Sequence, residues 1–409
     1  MKTYKFLPEI AILIFALAIR LFFVSQVEWQ ALSDSRDYQT LAKNLIDGEG
    51  YIQIYQGESP EYQGMTFRAY RMPGYALVLA GFFKVLGYQP KLGLYLNLIF
   101  DLLTLTTIFC LAPLMGRLRA NLSALIFALH ILWLPLLMSE SLVTFCLTGL
   151  TAILALKIWA RSLPLAFISA TLLATAIMTK PVAVVFAAFF VWQYLFSAGR
   201  HRHNKIFLVL ILPLLALSLW GIRNYKIFHA PILFSTNFGP HNAPDFGINK
   251  PDLVSDLRAQ KQDEFAINRN ITEKIIAQVR SDPAAALKIY LARIRNIFST
   301  DPVSEITNII LPKLYAKAPW AAALYRRALS QYAIVYILGG LGLVCMLIMG
   351  GQTRIFPVLF LSFILLHCLV SNGNIRFMAP VYPILCISCA WLLCNAYAAV
   401  AKFQTGTKS

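Results

Sequence analysis

About ten apolar runs, separated by polar stretches, dominate this 409-residue chain and leave few folds open to it. They lie near residues 6–25, 92–115, 122–138, 142–160, 163–178, 181–197, 206–222, 332–350, 355–371 and 377–399. A helix crosses roughly 30 Å of hydrocarbon with about 20 such residues, and these runs approach or reach that length. The composition agrees: 58% of residues are hydrophobic, 13% are charged and the mean hydropathy is +0.63. No single soluble core of this size hides that much apolar surface. The expected fold is an all-α membrane protein, a polytopic bundle of about ten transmembrane helices with helical loops on its outer face.

Lys2 and Lys5 precede the first run, and Ala16-Leu17-Ala18 mimics a signal-peptide cleavage site. The run continues through Leu21 to Val24, so it reads as an uncleaved anchor. With the amino terminus inside, the inner loops collect Arg117, Arg119, Lys157, Arg161, Arg200, Arg202, Lys205, Arg354, Lys402 and Lys408, with Glu9 nearly the only acid. Two long hydrophilic stretches, 26–74 and 223–331, then fall outside. The expected parts are an amino-terminal membrane module, 1–222, containing the first outer loop 26–74; an outer helical loop domain, 223–331; and carboxy-terminal transmembrane helices, 332–409. The expected location is the bacterial inner membrane, with the polar chemistry facing the periplasm or exterior. The net charge of +17 is thereby tied to topology and to scattered loop residues, which sets nucleic acid aside as a partner. The seven cysteines (Cys110, Cys146, Cys345, Cys368, Cys386, Cys389, Cys394) all lie in apolar runs, so the loops hold no disulfide framework. Cys386 and Cys389 spell CxxC inside a spanning helix and read as packing residues.

In the first outer loop, residues 34–46 have helical spacing (Tyr38, Leu41, Ala42, Leu45), with Ser33 as a candidate cap and Gly48 and Gly50 as stops. Asp34, Asp37 and Tyr38 share one turn of that helix. Residues 73–86 read as an interfacial helix with Pro73 in its first turn. In the second outer stretch, 252–281 and 283–298 read as helices broken at Ser281-Asp282-Pro283. The second sets Leu287, Ile289, Tyr290, Leu291, Ile294 and Ile297 against Lys288, Arg293 and Arg295, and should lie along the membrane surface. Residues 302–320 read as an irregular connection.

Further polar residues fall at the outer ends of spans: Glu140, Lys180, Arg223 with Asn224, and Asn374 with Arg376. Any one alone reads as a rim side chain reaching water. Together with the first loop they mark one face as a candidate site. Asp101 differs, lying well inside a span where an unpaired acid costs about 3 kcal/mol. It is expected to face the bundle interior in a structural role, with Asn97 one turn away as candidate partner. Carboxylates beside cations at a membrane rim suit a sugar carried on a long-chain lipid phosphate. Arginine and lysine would hold the phosphate and stabilise the charge it gains as the glycosidic bond breaks. A carboxylate would take the proton of the attacking hydroxyl.

DSRDYQTLAKNLIDGEGY, RMPGYALVLAGFFKVLG, MSESL, ATAIMTKPVAV, LWGIRNYKIF with its following STNFG, SDPAAALKIYLARIRNIF and IRFMAPVYPIL follow one another along nearly the whole chain. The ordered set resembles the GT-C membrane glycosyltransferases, in the branch of bacterial relatives of protein O-mannosyltransferases and of the lipid A aminoarabinose transferase. The resemblance implies an inverting transfer of a hexosyl or pentosyl unit from a polyprenyl-phosphate sugar to a lipid, glycan or protein acceptor. Asp34 and Tyr38 match the Asp-x-x-x-Tyr pattern of the first loop, which makes Asp34 the expected base or acceptor-orienting group and Asp37 its alternative. Arg71 stands where these proteins place a basic residue before the proline, and Lys180 matches their Met-Thr-Lys run, so both become candidate phosphate contacts. Tyr38, Arg68, Glu140, Arg223, Asn224 and Arg376 complete the expected substrate-binding set. The chain is shorter than the aminoarabinose transferases, so the resemblance speaks to the donor more than to the acceptor.

Some GT-C enzymes use a divalent cation, and Asp34, Asp37 and Glu140 are hard oxygen donors; no residue spacing here demands a metal. Two readings compete with catalysis. One is a lipid flippase or transporter, in which paired halves or broken helices with intramembrane charge are usual. The other is a scaffold that has lost activity, against which the joint presence of Asp34, Lys180 and Arg376 argues.

Overall fold

The computed structural model describes residues 6–26, 33–56, 59–130, 138–196, 203–298, 316, 319–371 and 375–406. Lys2, Lys5, Arg200, Arg202, Asn374, Lys408, the Ser33 side chain and nearly all of the connection expected at 302–320 lie outside that set. The first half begins with α1 (Leu7–Gln26), α2 (Ser33–Asp47), α3 (Pro73–Leu86), α4 (Leu92–Phe109), α5 (Ala112–Met115) and α6 (Arg117–Ala128). It continues with α7 (Glu140–Ala155), α8 (Leu163–Thr179), α9 (Val185–Leu195) and α10 (His203–Phe228). After these come α11 (Phe238–Asn242), α12 (Lys250–Ala259), α13 (Glu264–Ser281), α14 (Pro283–Ile297), α15 (Pro319–Met349), α16 (Ile355–Val370) and α17 (Tyr382–Gly406). Six helical stretches among the described residues are long and apolar enough to cross a membrane, and α3, α7, α8 and the 181–195 segment are shorter apolar helices. The fold is an all-α membrane bundle. Its one addition among the described residues is a two-stranded antiparallel ladder, β1 (Gln53–Ile54) against β2 (Thr66–Phe67), which folds the first hydrophilic stretch back on itself.

Three boundaries differ from expectation. The span expected to end at Ile222 continues as α10 to Phe228, since nothing between them breaks a helix. The helix expected over 252–281 is two: Lys261 takes a left-handed conformation at φ 57°, and the Asp263 side chain accepts from the Ala266 amide to cap a new start. The third is α15, which reaches back to Pro319, well before the expected start at 332. The break at 281–283 stands where expected, Asp282 capping α14 through the Ala285 amide with Pro283 in its first turn.

Close backbone approach, not bulk alone, packs the spans. A Cβ on Gly342 would lie 2.2 Å from the Ser388 carbonyl oxygen and one on Gly339 2.8 Å from that of Leu385, so these glycines let α15 press against α17. Ser388 Oγ donates to the Gly339 carbonyl at 2.9 Å across the same seam. At the inner end expected from topology, Arg117 grips both carboxylate oxygens of Glu9, at 2.5 and 2.7 Å, tying α6 to α1.

Asp101 is paired, but not with Asn97. Its Oδ2 accepts from Arg20 Nε at 3.2 Å, and Arg20, fully buried in α1, also donates to the Ala128 carbonyl at 2.9 Å. The arginine thus does double service, neutralising the acid and satisfying a carbonyl left open at the end of α6. Asn97 instead accepts from the Tyr75 hydroxyl at 2.8 Å and donates to the Met138 carbonyl at 3.1 Å.

A second, smaller core joins the two hydrophilic stretches. Tyr62 and Phe67 from the ladder region pack with Phe246, Val254, Leu257, Ile267, Ile271 and Ile275. On α14 the two expected faces are partly exchanged: Arg293, expected on the polar face, is buried and bonded to Asp245 at 2.8 Å, while Leu287 and Leu291, expected on the apolar face, are exposed. Pairing with Asp245 and the Cys368 carbonyl holds that arginine inward against the amphipathic pattern.

Candidate functional site

Four elements end at one place. Asp34 stands in the first turn of α2 and Glu140 is the first residue of α7. Lys180 follows α8 because Pro181 disfavours helical backbone at the residue before it; Lys180 is extended, φ −135° and ψ 106°. Arg376 lies in the 3-10 segment Ile375–Val381 that leads into α17. Gly74 in α3 permits the convergence, since a Cβ there would meet Thr179 Oγ1 at 2.4 Å and the Met178 carbonyl at 2.7 Å.

The charges interlock. Arg376 donates to Asp34 Oδ2 at 2.6 Å, while Arg71 binds Asp34 Oδ1 and also reaches Asp37 Oδ2 through Nε at 2.9 Å. Lys180 Nζ donates to Glu140 Oε1 at 2.9 Å, and Arg376 Nε stands 3.9 Å from the same oxygen. Both Lys180 and Arg376 lie over the Phe377 ring, 4.8 and 5.1 Å from its centre. Three carboxylates face three cations, so the cluster is formally neutral.

The two aspartates differ in environment. Burial would raise the Asp34 carboxyl, but Arg376 and Arg71 outweigh it and hold it well below the usual carboxylate range. Asp37 moves the other way: burial, aided by the neighbouring Asp34 charge, wins over Arg71 and the Gln53 amide that donates to it at 3.1 Å. Burial pushes the Tyr38 hydroxyl up to about 12, and that hydroxyl donates to Ser139 Oγ at 3.3 Å.

A cavity of about 430 Å³ opens over this cluster. Asp34, Tyr38, Arg71, Glu140, Lys180 and Arg376 all line it, together with apolar side chains such as Val184, Phe234, Leu366 and Val370. Asp37 is not among the lining residues; its carboxylate is taken up by Arg71 and by the Gln53 amide. Six of the ten expected site residues therefore meet at one cavity.

Arg68, Arg223 and Asn224 do not. Arg223 braces the segment before Arg71, donating to the carbonyls of Arg68 and Tyr51 at 2.6 and 2.7 Å, while buried Asn224 accepts from Arg223 at 2.8 Å and donates to the Ile232 carbonyl at 2.9 Å. Arg68 lines a separate cavity with Arg258 and Glu264. Sequence reasoning passed over the strongest brace, Glu264. Its Oε1 accepts the backbone amides of Arg68 and Ala69 at 2.8 and 2.6 Å, and burial pushes its carboxyl up to about 7 against those two donors. Tyr51 adds its hydroxyl to the carbonyls of Arg71 and Met72 at 3.0 and 3.1 Å. An acid in the first turn of a helix looks like ordinary capping, so no signal marked Glu264. Sequence reasoning also missed His241 and His367, which line the main cavity; a histidine inside an apolar run was a signal for the second.

Metal-ligating capacity is weak as arranged. The described residues contain no cluster of three or more His, Cys, Asp or Glu suited to a cation, and Asp34, Asp37 and Glu140 all point oxygens at guanidinium or ammonium groups. This donor set fits an anion held through its cations better than a cation.

A bundle of apolar helices with a charged cavity at their ends is the architecture of a polytopic membrane protein. No family model matches the sequence, and no curated protein matches it. Among solved structures, the archaeal oligosaccharyltransferase AglB from Archaeoglobus fulgidus, in complex with an inhibitory peptide and a dolichol-phosphate, is similar over 99% of this chain and 52% of its own, with 11% identity and a TM-score of 0.57. The Archaeoglobus fulgidus oligosaccharyltransferase in complex with Zn and sulfate is similar over 96% and 50%, with 12% identity and a TM-score of 0.55. ArnT from Cupriavidus metallidurans, bound to undecaprenyl phosphate, aligns over 95% and 78% at 12% identity with a TM-score of 0.43. The chain spans about half the length of the archaeal proteins. It shares the fold of these archaeal oligosaccharyltransferase structures.

Proposed function

We propose that this chain is a membrane glycosyltransferase that moves a sugar, with inversion, from a polyprenyl-phosphate donor to a hydroxyl or phosphate of a lipid, glycan or protein acceptor. The observation that carries this reading is one cavity lined at once by Asp34, by Lys180 and Arg376, and by apolar side chains that suit a lipid chain. For a hydroxyl acceptor, its oxygen attacks the anomeric carbon, the bond from that carbon to the phosphate oxygen breaks, and the electron pair stays on the phosphate. Asp34 takes the hydroxyl proton.

The neutral charge balance suggests an order of events. In the resting site Asp34 is a weak base because two arginines bind it. A lipid phosphate that takes over the Arg376 contact frees one carboxylate oxygen and returns basicity to Asp34 only once donor is present. Lys180 supports the phosphate with hydrogens beyond the one given to Glu140. Arg71, bonded to both aspartates, acts mainly to hold them in place. The buried pair Arg20–Asp101 is satisfied internally, and neither residue lines the main cavity.

Two measurements test this reading. Purified protein incubated with a panel of radiolabelled polyprenyl-phosphate sugars and membrane extract is expected to label an acceptor from at least one donor; transfer from none sinks the proposal. Lys180→Gln and Arg376→Gln are expected to weaken donor binding by about 1.5–3 kcal/mol, the range for charge-assisted hydrogen bonds. Unchanged donor affinity in both variants removes the phosphate site.

The positive-inside bias supports an orientation with this cavity on the outer face of a bacterial inner membrane, where no nucleotide donor is needed. In a cysteine-free background, single cysteines at Gln56 and Lys261 should react with an impermeant maleimide in intact spheroplasts, and one at His203 should not. The reverse pattern inverts the orientation.

A further inference from the structure

We propose that His367, with His241 and Ser371, forms a hydroxyl-recognition subsite that binds the sugar of the donor. The proposal rests on the donor reading above and adds a separate location for the carbohydrate. His367 lies near the end of α16, is 5% exposed and lines the main cavity. Neither of its ring nitrogens has a hydrogen-bond partner among the described residues. The ring is held in place by Phe377, 4.2 Å away between centres, and by Phe363 at 5.8 Å. Beside it on the cavity wall, His241 Nε2 and Ser371 Oγ are 3.1 Å apart.

A buried polar group without a partner is destabilising, so two on one ring call for an occupant. The chemistry of the ring selects it. A neutral imidazole presents one donor and one acceptor. An ionised phosphate only accepts and would leave the second nitrogen unmet, whereas sugar hydroxyls donate and accept and can satisfy both. The subsite comes from α11, α16 and the residue after α16, while the charged cluster comes from α2, α7, the end of α8 and the segment before α17. Phosphate and sugar are thus recognised by different elements of one cavity.

The test compares full-length wild type, His367→Phe and His367→Gln for binding of undecaprenyl phosphate and of the same lipid phosphate carrying mannose, glucose or galactose. Wild type is expected to bind at least one sugar-bearing lipid more tightly than the bare one. His367→Phe should lose about tenfold or more for that lipid, the equivalent of one to two net hydrogen bonds, and bind undecaprenyl phosphate as wild type does. It should also melt no lower than wild type, because phenylalanine fills the ring position without unmet nitrogens. His367→Gln, which keeps a donor and an acceptor, should retain most of the preference. Equal loss for bare and sugar-bearing lipids overturns the proposal, as does no loss, or a wild type with no preference for any of the sugars. A wild type that fails to bind undecaprenyl phosphate removes the donor reading itself, an outcome distinct from all the others.

Discussion

Asp34→Asn should lower single-turnover sugar transfer at saturating donor by about 10² to 10⁴, the usual contribution of a positioned base. Donor binding should hold or tighten, because the substitution removes one negative charge from a neutral cluster and leaves Arg376 with a weaker partner for its 2.6 Å bond. Loss of turnover with gain of affinity is the signature that separates a base from a mere phosphate-site residue. Asp37→Asn should lose less: Asp37 does not line the cavity, and its bonds to Arg71 and Gln53 give it a supporting place behind Asp34. The two variants are measured side by side for transfer and for donor affinity. If Asp37→Asn is inactive and Asp34→Asn transfers at the parental rate, the roles are exchanged, and the more basic carboxyl of Asp37 is the base. If both are fully active, the first loop is not catalytic and the proposed mechanism fails.

What the sequence disclosed and what it hid follow from the range of the forces involved. The start of α3 at Pro73, the end of α8 before Lys180-Pro181 and the cap at Asp282 are local backbone effects, and each was readable from a few neighbouring residues. The gathering of Asp34, Glu140, Lys180 and Arg376 could be anticipated because topology alone puts span ends on one face. Which end residues meet could not. Arg223 stands at such an end yet braces backbone, because the carbonyls of Arg68 and Tyr51 reach it first. Glu264 acts across 196 positions of sequence on the Arg68 amide, and no pattern within its own helix encodes that contact. The missed break at Lys261 is a local failure of another kind, a left-handed lysine where no glycine gave warning.

The largest stability effect should come from the buried pair of Arg20 and Asp101. Asp101→Leu leaves a fully buried guanidinium without its counterion, and Arg20→Met leaves a buried carboxylate alone while also withdrawing the 2.9 Å bond to the Ala128 carbonyl. Breaking a buried pair from one side typically costs about 3–5 kcal/mol, because the remaining charge has neither water nor partner. The double variant removes both charges and should recover part of that loss, since no unpaired charge then remains buried. It should not recover all of it: the carbonyl at the end of α6 still lacks its donor, a deficit of about 1–3 kcal/mol. Thermal melting of the three purified variants in one detergent measures the coupling directly. A double variant less stable than either single one would show that the two residues act independently, and that Arg20 stabilises α6 through its carbonyl contacts rather than by neutralising Asp101.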